Sequence, residues 1–295
     1  MQQLAYFKQL KAVVIPLHCS EMIEETRLAL KTTEIPVITV EKNNFEEQAM
    51  QAIEKYEVNT GLVVTFSFII PRSVFSLPVN GFFNVHPGLL PAYRGADPVF
   101  YQVKNREKFA GVTVHKINEG IDKGEIVLQE KIVLSPHDTY GLLAEKLSWV
   151  AVKSVATVVN ILCMGFHVHS KPQDETKACY YKKQSQHEIA INWQLMDADG
   201  IIALINACNP HNKGAASKIN NKIIRLLQAE KYDDDTEPQQ PAGTIVSIDN
   251  NCLDVAVIKG KLLRINFLYV DEGFLPPSFL IQCGITTGMA FENIF

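Results

Sequence analysis

Residues 82–95 read FFNVHPGLLPAYRG, an apolar strand-like start followed by a loop rich in proline and glycine. Asn84 and His86 stand two positions apart at the end of this strand, so their side chains point to the same face of a sheet. A second strand-like run, Gly111 to Ile117, is followed by Asp122 in a glycine-flanked turn. In open α/β sheets, ligands collect at the carboxyl ends of the strands. The two segments therefore predict a catalytic site in an α/β fold.

Apolar strand-like runs alternate with amphipathic segments through the first half of the chain. The alternation predicts a doubly wound parallel sheet with helices on its faces. The predicted strands are Lys11 to Leu17, Ile35 to Val40 and Gly61 to Ile70, and the predicted helices are Ser20 to Lys31, Asn44 to Tyr56 and Asp138 to Met164.

A polar connector follows the last of these helices, and the pattern changes beyond it. The connector is rich in Lys, Gln, Asp and Thr, which is typical of a linker between domains. We therefore expect one domain over residues 1–170, a linker over 171–187 and a second domain over 188–295. The second domain shows a helix from Asp197 to Cys208 and short strands separated by turns, a pattern that favours a small β-barrel. These strands are Ile223 to Leu227, Gly243 to Ile248, Leu253 to Val257 and Leu262 to Phe267.

Cysteine usage and hydropathy point to an ordinary globular protein. The six cysteines are scattered without Cys-x-x-Cys pairs, mostly in apolar runs, which favours buried thiols in a reducing compartment. The sequence shows no signal-peptide pattern. We also expect none of its apolar runs to be long enough to span a bilayer. We expect a cytoplasmic protein without membrane contact, and the histidines show no metal-ligand spacing.

The charge balance bears on possible partners. Lys and Arg number 18 against 19 Asp and Glu over residues 1–180, and 10 against 13 over residues 181–295. Proteins that hold RNA through its phosphates usually concentrate basic residues, because neutralising the backbone supplies much of the affinity. Neither half is basic, which argues against a nucleic-acid partner without excluding a local patch.

The motifs resemble those of the folate-dependent formyltransferase family, which includes methionyl-tRNA, glycinamide ribonucleotide and amino-sugar formyltransferases. The family's Asn-x-His, Leu-Leu-Pro, Arg-Gly and Gly-x-Asp-x-Gly are matched in order by Asn84 and His86, Leu89 to Pro91, Arg94 and Gly95, and Gly120 to Gly124. The resemblance implies a Rossmann-like catalytic domain and an OB-like β-barrel carboxyl-terminal domain, similar to that of methionyl-tRNA formyltransferase. One departure is that only Met1 to Leu10 precedes the first clear strand. We therefore expect this sequence to lack the family's usual first strand.

Formyl transfer to an amine passes through a tetrahedral carbon bearing an oxyanion, and it requires a proton relay. The resemblance assigns these tasks to three residues. Asn84 offers an amide donor to the oxyanion, His86 donates to it or shuttles a proton, and Asp122 orients the imidazole. The alternative is that Asp122 only caps a turn and that His86 packs under Pro87.

The resemblance also implies binding positions for 10-formyltetrahydrofolate as co-substrate and for the acceptor. The folate positions are Phe68, Ile70, Phe82, Leu90, Ile117, Asn118, Glu119 and Gly120, with main-chain recognition by the segment around Phe66 to Ile70. The acceptor positions are Tyr93, Arg94 and His115. Arg94 either holds an anionic acceptor or braces its loop. His115 either contacts the acceptor or is a strand histidine bonded to a carbonyl.

Together these expectations describe an N-formyltransferase that uses 10-formyltetrahydrofolate and acts on a primary amine. Three features favour a small-molecule amine, such as an amino-sugar nucleotide. The carboxyl-terminal half is acidic, we expect the family's basic insertion loop for tRNA to be absent, and the resemblance implies a histidine at the position of His115 in some small-molecule formyltransferases. Methionyl-tRNA is the alternative acceptor. A hydrolase that releases formate from the same donor, or a folate-binding module without catalysis, also fits the motifs.

Overall fold

The computed structural model describes residues 4–5, 8–232 and 239–295. These residues form two compact units. The first unit contains the described residues within Met1–Arg94, Val112–Glu130 and Ala151–Ala178. The second contains Gly95–Gly111, Lys131–Val150 and the described residues within Cys179–Phe295. The domain limits at residues 170 and 188 stay a prediction.

Strands and helices alternate through the first half of the chain, as the apolar periodicity predicts. In chain order they are β1 Val13–Pro16, α1 Ser20–Leu30, β2 Val37–Val40, α2 Phe45–Lys55, β3 Gly61–Val64, α3 Arg72–Phe75, β4 Phe82–His86, β5 Arg94–Gly95, α4 Pro98–Lys104, β6 Phe109–Lys116, β7 Ile126–Val133 and α5 Tyr140–Cys163. A single 3-10 turn, Glu175–Lys177, and β8 Tyr180–Tyr181 follow. The α/β class is confirmed.

The strands of this half are not all parallel. β1 and β2 form a parallel pair of their own. A four-stranded sheet has the order β3-β4-β6-β7, in which β3 and β4 are parallel and β4 and β6 are antiparallel. The expectation of an entirely parallel sheet was therefore wrong for β6, because the connection after β4 brings the chain back in the opposite direction.

The predicted strand from Gly61 to Ile70 is shorter in the structure and ends at Val64. Thr65 adopts a φ of +49°, a backbone conformation that β-branched residues rarely take and that ends the strand. Beyond it, Phe66 and Phe68 pack their rings 5.1 and 5.7 Å from that of Phe45. Residues 65–70 therefore form a loop anchored by two aromatic side chains.

Helix α5 is 24 residues long and buries one stripe that includes Leu143, Leu147 and Val158. Trp149 and Val152 lie on its exposed side. Among the described residues it is the helix that is long and apolar enough to cross a membrane by length and composition, with a mean hydropathy of 1.4. The expectation that no apolar run has this length was therefore wrong, although core helices of soluble proteins meet the same criteria.

The last part of the chain forms the predicted helix followed by an antiparallel sheet. The elements are α6 Ala198–Ala207, β9 Ala215–Ile219, β10 Lys222–Tyr232, β11 Ile245–Ile248, β12 Leu253–Val257, β13 Lys261–Val270, β14 Gly273–Leu275 and α7 Ser278–Gln282. The strand order is β11-β12-β13-β10-β9, and β14 pairs with β13. Sequence analysis missed β9, because its alanines and serine carry none of the bulky side chains that mark a strand.

The six cysteines are free thiols. Cys208 is buried, but Cys163, Cys179 and Cys283 are exposed. The expectation of buried thiols was wrong for these three residues. Cys163 is the last residue of α5, and Cys283 directly follows α7, so both stand at helix ends.

Candidate active site

The register between β4 and β6 brings the first site residues together. Asn84 lies directly opposite His115, and His86 lies opposite Thr113. Residues directly opposite each other in an antiparallel pair share a face, so both histidines and Asn84 occupy the same side of the sheet. Phe83 and Val85 alternate with them and are buried on the other side. The packing of these two residues fixes which face carries the polar groups.

The amide of Asn84 links two of the predicted site residues. Its Nδ2 lies 3.1 Å from Nε2 of His115 and donates to Oδ1 of Asp122 at 3.2 Å. The Nδ1 of His115 lies 2.8 Å from the backbone oxygen of Lys116, and a carbonyl can only accept. His115 Nδ1 therefore carries the hydrogen and Nε2 accepts from Asn84, so both amide hydrogens of Asn84 are engaged within the cluster.

His86 is held in one tautomer by the same reasoning. Its Nε2 lies 2.5 Å from the backbone oxygen of Tyr93, so that nitrogen carries the hydrogen. Its Nδ1 lies 3.6 Å from Oδ2 of Asp122. Burial lowers the pKa of His86 more than the Asp122 carboxylate and the Tyr93 carbonyl raise it. The imidazole is therefore neutral near pH 7, and its basic nitrogen faces a carboxylate that stabilises an arriving proton.

Asp122 sits in a turn with a strained backbone. Its φ is +53°, which is uncommon for residues other than glycine, asparagine and aspartate. Two residues later, a Cβ atom on Gly124 would stand 1.6 Å from the backbone oxygen of Lys116. The chain therefore needs glycine at position 124 to run this close to β6. The Gly-x-Asp-x-Gly motif thus places the carboxylate of Asp122 between His86 and His115.

Arg94 is fully buried, and its guanidinium is engaged by the connector. Its Nη1 and Nη2 donate to the two carboxylate oxygens of Glu175 at 2.9 and 2.7 Å. Its Nε and Nη2 also donate to Oε1 of Gln173 at 3.1 and 2.8 Å. These contacts support the alternative in which Arg94 braces its loop. Sequence analysis missed Gln173 and Glu175, since nothing in a polar connector distinguishes them from solvated residues.

Several predicted folate positions lie in one apolar cluster. Phe68, Ile70, Phe82 and Ile117 pack with Phe45 and its neighbours on α2 and α3. Leu90 is held elsewhere, with its backbone bonded to the side chains of Thr113 and Gln129. The polar positions form a turn, in which Asn118 accepts from the backbone of Gly120 and Glu119 pairs with Arg72 at 3.0 Å.

The loop over residues 66–70 offers main-chain donors beside this cluster. Within the described part of the chain, none of its backbone N–H groups donates to another backbone group. Backbone groups that lack such partners bond to water or to ligands. A flat heterocycle with polar edges fits an apolar slot lined by such donors.

The described residues contain no group of three or more His, Cys, Asp or Glu side chains that could hold a metal ion. The site brings together an amide, two imidazoles and one carboxylate. Such groups can donate and accept hydrogen bonds and can exchange protons, which is the chemistry that a group-transfer enzyme needs.

Comparison with known families agrees with this description. Residues 7–159 match the formyl transferase family, and residues 183–270 match the formyl transferase carboxyl-terminal domain. The chain belongs to the formyl transferase family, and the resemblance to folate-dependent formyltransferases is confirmed.

Individual relatives fall in the same group. The chain is 31% identical to the methionyl-tRNA formyltransferase of Kosmotoga olearia over 235 residues, which cover 79% of this chain and 74% of that protein. HypX from Aquifex aeolicus in complex with tetrahydrofolic acid has a similar fold, with a TM-score of 0.66 and 16% identity over 92% of this chain and 46% of that one. An N-formyltransferase from Helicobacter canadensis has a TM-score of 0.62 and 17% identity over 87% and 99% of the two chains.

Proposed function

We propose that this formyltransferase moves a formyl group from 10-formyltetrahydrofolate to a primary amine, with Asn84, His86 and Asp122 as its catalytic residues. The observation that carries the proposal is the cluster in which the Asp122 carboxylate contacts Asn84 and faces both histidines. In the transfer, the amine nitrogen bonds to the formyl carbon, the bond to the folate nitrogen breaks, and one proton passes from the amine to that nitrogen.

The hydrogen-bond pattern supports a separate task for each group. The amide of Asn84 now contacts His115 and Asp122. One of its N–H groups leaves that partner and donates to the developing oxyanion. The Nδ1 of His86 accepts a proton, and Asp122 stabilises the resulting imidazolium. Because Nε2 of His86 already donates to Tyr93, proton exchange at this residue is confined to Nδ1.

The apolar cluster and the loop over residues 66–70 support folate as donor. Phe68, Phe82 and Ile117 provide a hydrophobic wall, and the adjacent N–H groups provide donors for the heterocycle edge. Phe82 and Ile117 lie on the strand face that carries Asn84 and His115. A donor bound against this wall would extend toward the catalytic cluster.

Binding of a stable 10-formyltetrahydrofolate analogue is expected to raise the melting temperature. A ligand at 100 times its Kd adds about 2.7 kcal/mol to the free energy of unfolding. For a chain of this size, that corresponds to a shift of roughly 5–10 °C in a thermal unfolding assay. The control ligand is p-aminobenzoylglutamate, which lacks the pterin and should shift the melting temperature far less. No shift at saturating analogue would contradict folate binding.

For the acceptor, we propose a small-molecule primary amine. The carboxyl-terminal sheet has eight Lys and Arg between residues 213 and 264. Four of them pair with carboxylates, namely Lys218 with Glu292, Lys231 with Asp199, Lys259 with Asp197 and Arg264 with Asp254. Paired cations contribute little to a phosphate-binding surface. The charge balance of this half therefore supports an acceptor that needs few phosphate contacts.

Methionyl-tRNA is the second candidate, and one observation favours it. Several relatives that match most of the chain are methionyl-tRNA formyltransferases, including one from Syntrophomonas wolfei that is 29% identical over 93% of this chain. The carboxyl-terminal family match lies in the region with the paired cations. The two candidates differ in the salt dependence of acceptor binding.

We expect no specific methionyl-tRNA complex at physiological salt in a filter-binding or mobility-shift assay. Each phosphate contact releases counterions, so a tRNA acceptor would bind with an affinity that falls steeply with added salt. The parallel measurement is a formylation panel that compares methionyl-tRNA with amino-sugar nucleotides. Efficient formylation of the tRNA with salt-sensitive binding would overturn the small-molecule proposal. Formate release that is independent of any amine would indicate a hydrolase instead.

A further inference from the structure

We propose that Gln173, in the connector, is a positioning residue that fixes the Asp122 turn for catalysis. This inference rests on the proposed role of Asp122 and adds a residue outside the family motifs. Gln173 touches none of the groups proposed to react, so it acts through the backbone of the turn.

The side-chain amide of Gln173 clamps the turn at two points. Its Nε2 donates to the backbone oxygen of Asp122 at 2.8 Å and to that of Gly124 at 2.7 Å. Both hydrogens of the Gln173 amide therefore donate to the two carbonyls that flank Lys123. A residue with a φ of +53° keeps that conformation when the surrounding contacts define it. The Gln173 clamp supplies two such contacts at the strained position.

Arg94 fixes the orientation of the Gln173 amide. Oε1 of Gln173 accepts from Nε and Nη2 of the buried guanidinium, so the NH2 group must face the turn. Glu175 holds the other edge of Arg94 through two charge-assisted hydrogen bonds. The Arg94 guanidinium also holds the pKa of Glu175 below its usual range. A continuous chain of contacts thus runs from Glu175 through Arg94 and Gln173 to Asp122.

The clamp matters because the Asp122 carboxylate must meet two partners at once. Its Oδ1 accepts from Asn84 at 3.2 Å, and its Oδ2 lies 3.6 Å from Nδ1 of His86. A displacement of about 1 Å at a catalytic group can cost a factor of about 100 in rate. Loosening the turn should therefore slow the chemical step while leaving both substrate sites in place.

The decisive variant is Gln173→Glu, because it separates the two halves of the clamp. A glutamate still accepts from Arg94, but it presents an oxygen instead of an NH2 group to the two carbonyls. We expect kcat to fall about 10- to 100-fold, with the KM values of donor and acceptor within about threefold of wild type. Gln173→Met, which removes both contacts at similar volume, should lower kcat at least as much.

The matched control is Asp174→Asn, which exchanges the same two functional groups one residue along the connector. Asp174 is solvent-exposed, and its Oδ1 accepts from Thr176, which an asparagine oxygen can also do. Its turnover should stay within about twofold of wild type. Wild-type kcat in both Gln173 variants, with an inactive Asp122→Asn, would overturn the positioning role but leave the proposed active site intact. An active Asp122→Asn would overturn both.

The pH profile distinguishes positioning from a general loss of structure. Asp122 raises the pKa of His86, whereas burial and His115 lower it. If the Asp122 carboxylate moves away, the pKa of His86 falls further, so the acidic limb of the kcat profile should shift to lower pH in Gln173→Met, which adds no charge beside the turn. An unshifted profile with a lower melting temperature would show a structural role and overturn the proposal.

Discussion

Asp122→Asn is expected to lower the turnover number by about two orders of magnitude or more, a typical cost for losing acid–base function. The amide keeps the volume of the carboxylate and its oxygen can still accept from Asn84, but it carries no charge. A proton that arrives at Nδ1 of His86 would then have no carboxylate 3.6 Å away to stabilise it. Steady-state kinetics with saturating donor and amine would measure this loss directly.

Two controls make the Asp122 result specific. The melting temperature and circular dichroism of the variant should match those of wild type, because the exchange leaves the turn and the Gln173 contacts to its backbone in place. His86→Ala should cost a comparable factor. Because residues that act as a unit are not additive, the double variant should be little slower than either single one. Near-normal turnover in both single variants would refute the catalytic assignment.

The part of the site that follows from periodicity was predictable from sequence. Residues separated by two positions on one strand must share a face. The sequence alone therefore places Asn84 and His86 on the same side of the sheet. The antiparallel pairing of β4 and β6 was not predictable, because a parallel sheet and a mixed sheet give the same alternation of apolar segments. That pairing sets Asn84 opposite His115 and makes His115 a direct partner of the cluster.

The contacts of the connector could not be predicted from the sequence either. Polar composition predicts a linker over residues 171–187, but it predicts neither the 3-10 turn Glu175–Lys177 nor strand β8, and it does not show which side chains turn inward. Gln173 and Glu175 are held by a buried guanidinium some eighty positions earlier in the chain. Hydrogen bonds between residues this far apart leave no local pattern in the sequence, so they are seen in the folded structure.

The length of β3 was not predictable from the sequence, for a different reason. Residues 66–70 continue the apolar run of the strand, and apolar content alone predicts that the strand continues. The positive φ at Thr65 instead turns the chain, so that two phenylalanines pack and Ile69 is left 78% exposed. A loop that departs from local preference next to the proposed folate-binding surface is the kind of place where function overrides propensity.

Gly124→Ala is expected to cause the largest combined loss of stability and activity. A Cβ atom at this position would stand 1.6 Å from the backbone oxygen of Lys116, a clash that neither residue can relieve by rotating a side chain. Separating the two backbones should lower the free energy of unfolding by about 3 kcal/mol. For a chain of this length, that is a fall of roughly 6–12 °C in melting temperature.

The same substitution should also slow catalysis in the molecules that stay folded. The turn would have to move away from β6, and it carries Asp122, so the carboxylate would lose its distances to Asn84 and His86. We expect turnover to fall about 100-fold or more at a temperature where the variant is fully folded. The matched control is Gly200→Ala within α6, where alanine favours the helix. There the atom nearest to the added Cβ is the side-chain Oδ1 of Asp197 at 3.3 Å, which needs to shift by only a few tenths of an ångström. A Gly124→Ala enzyme with normal turnover and melting temperature would show that the close approach between the turn and β6 is not required.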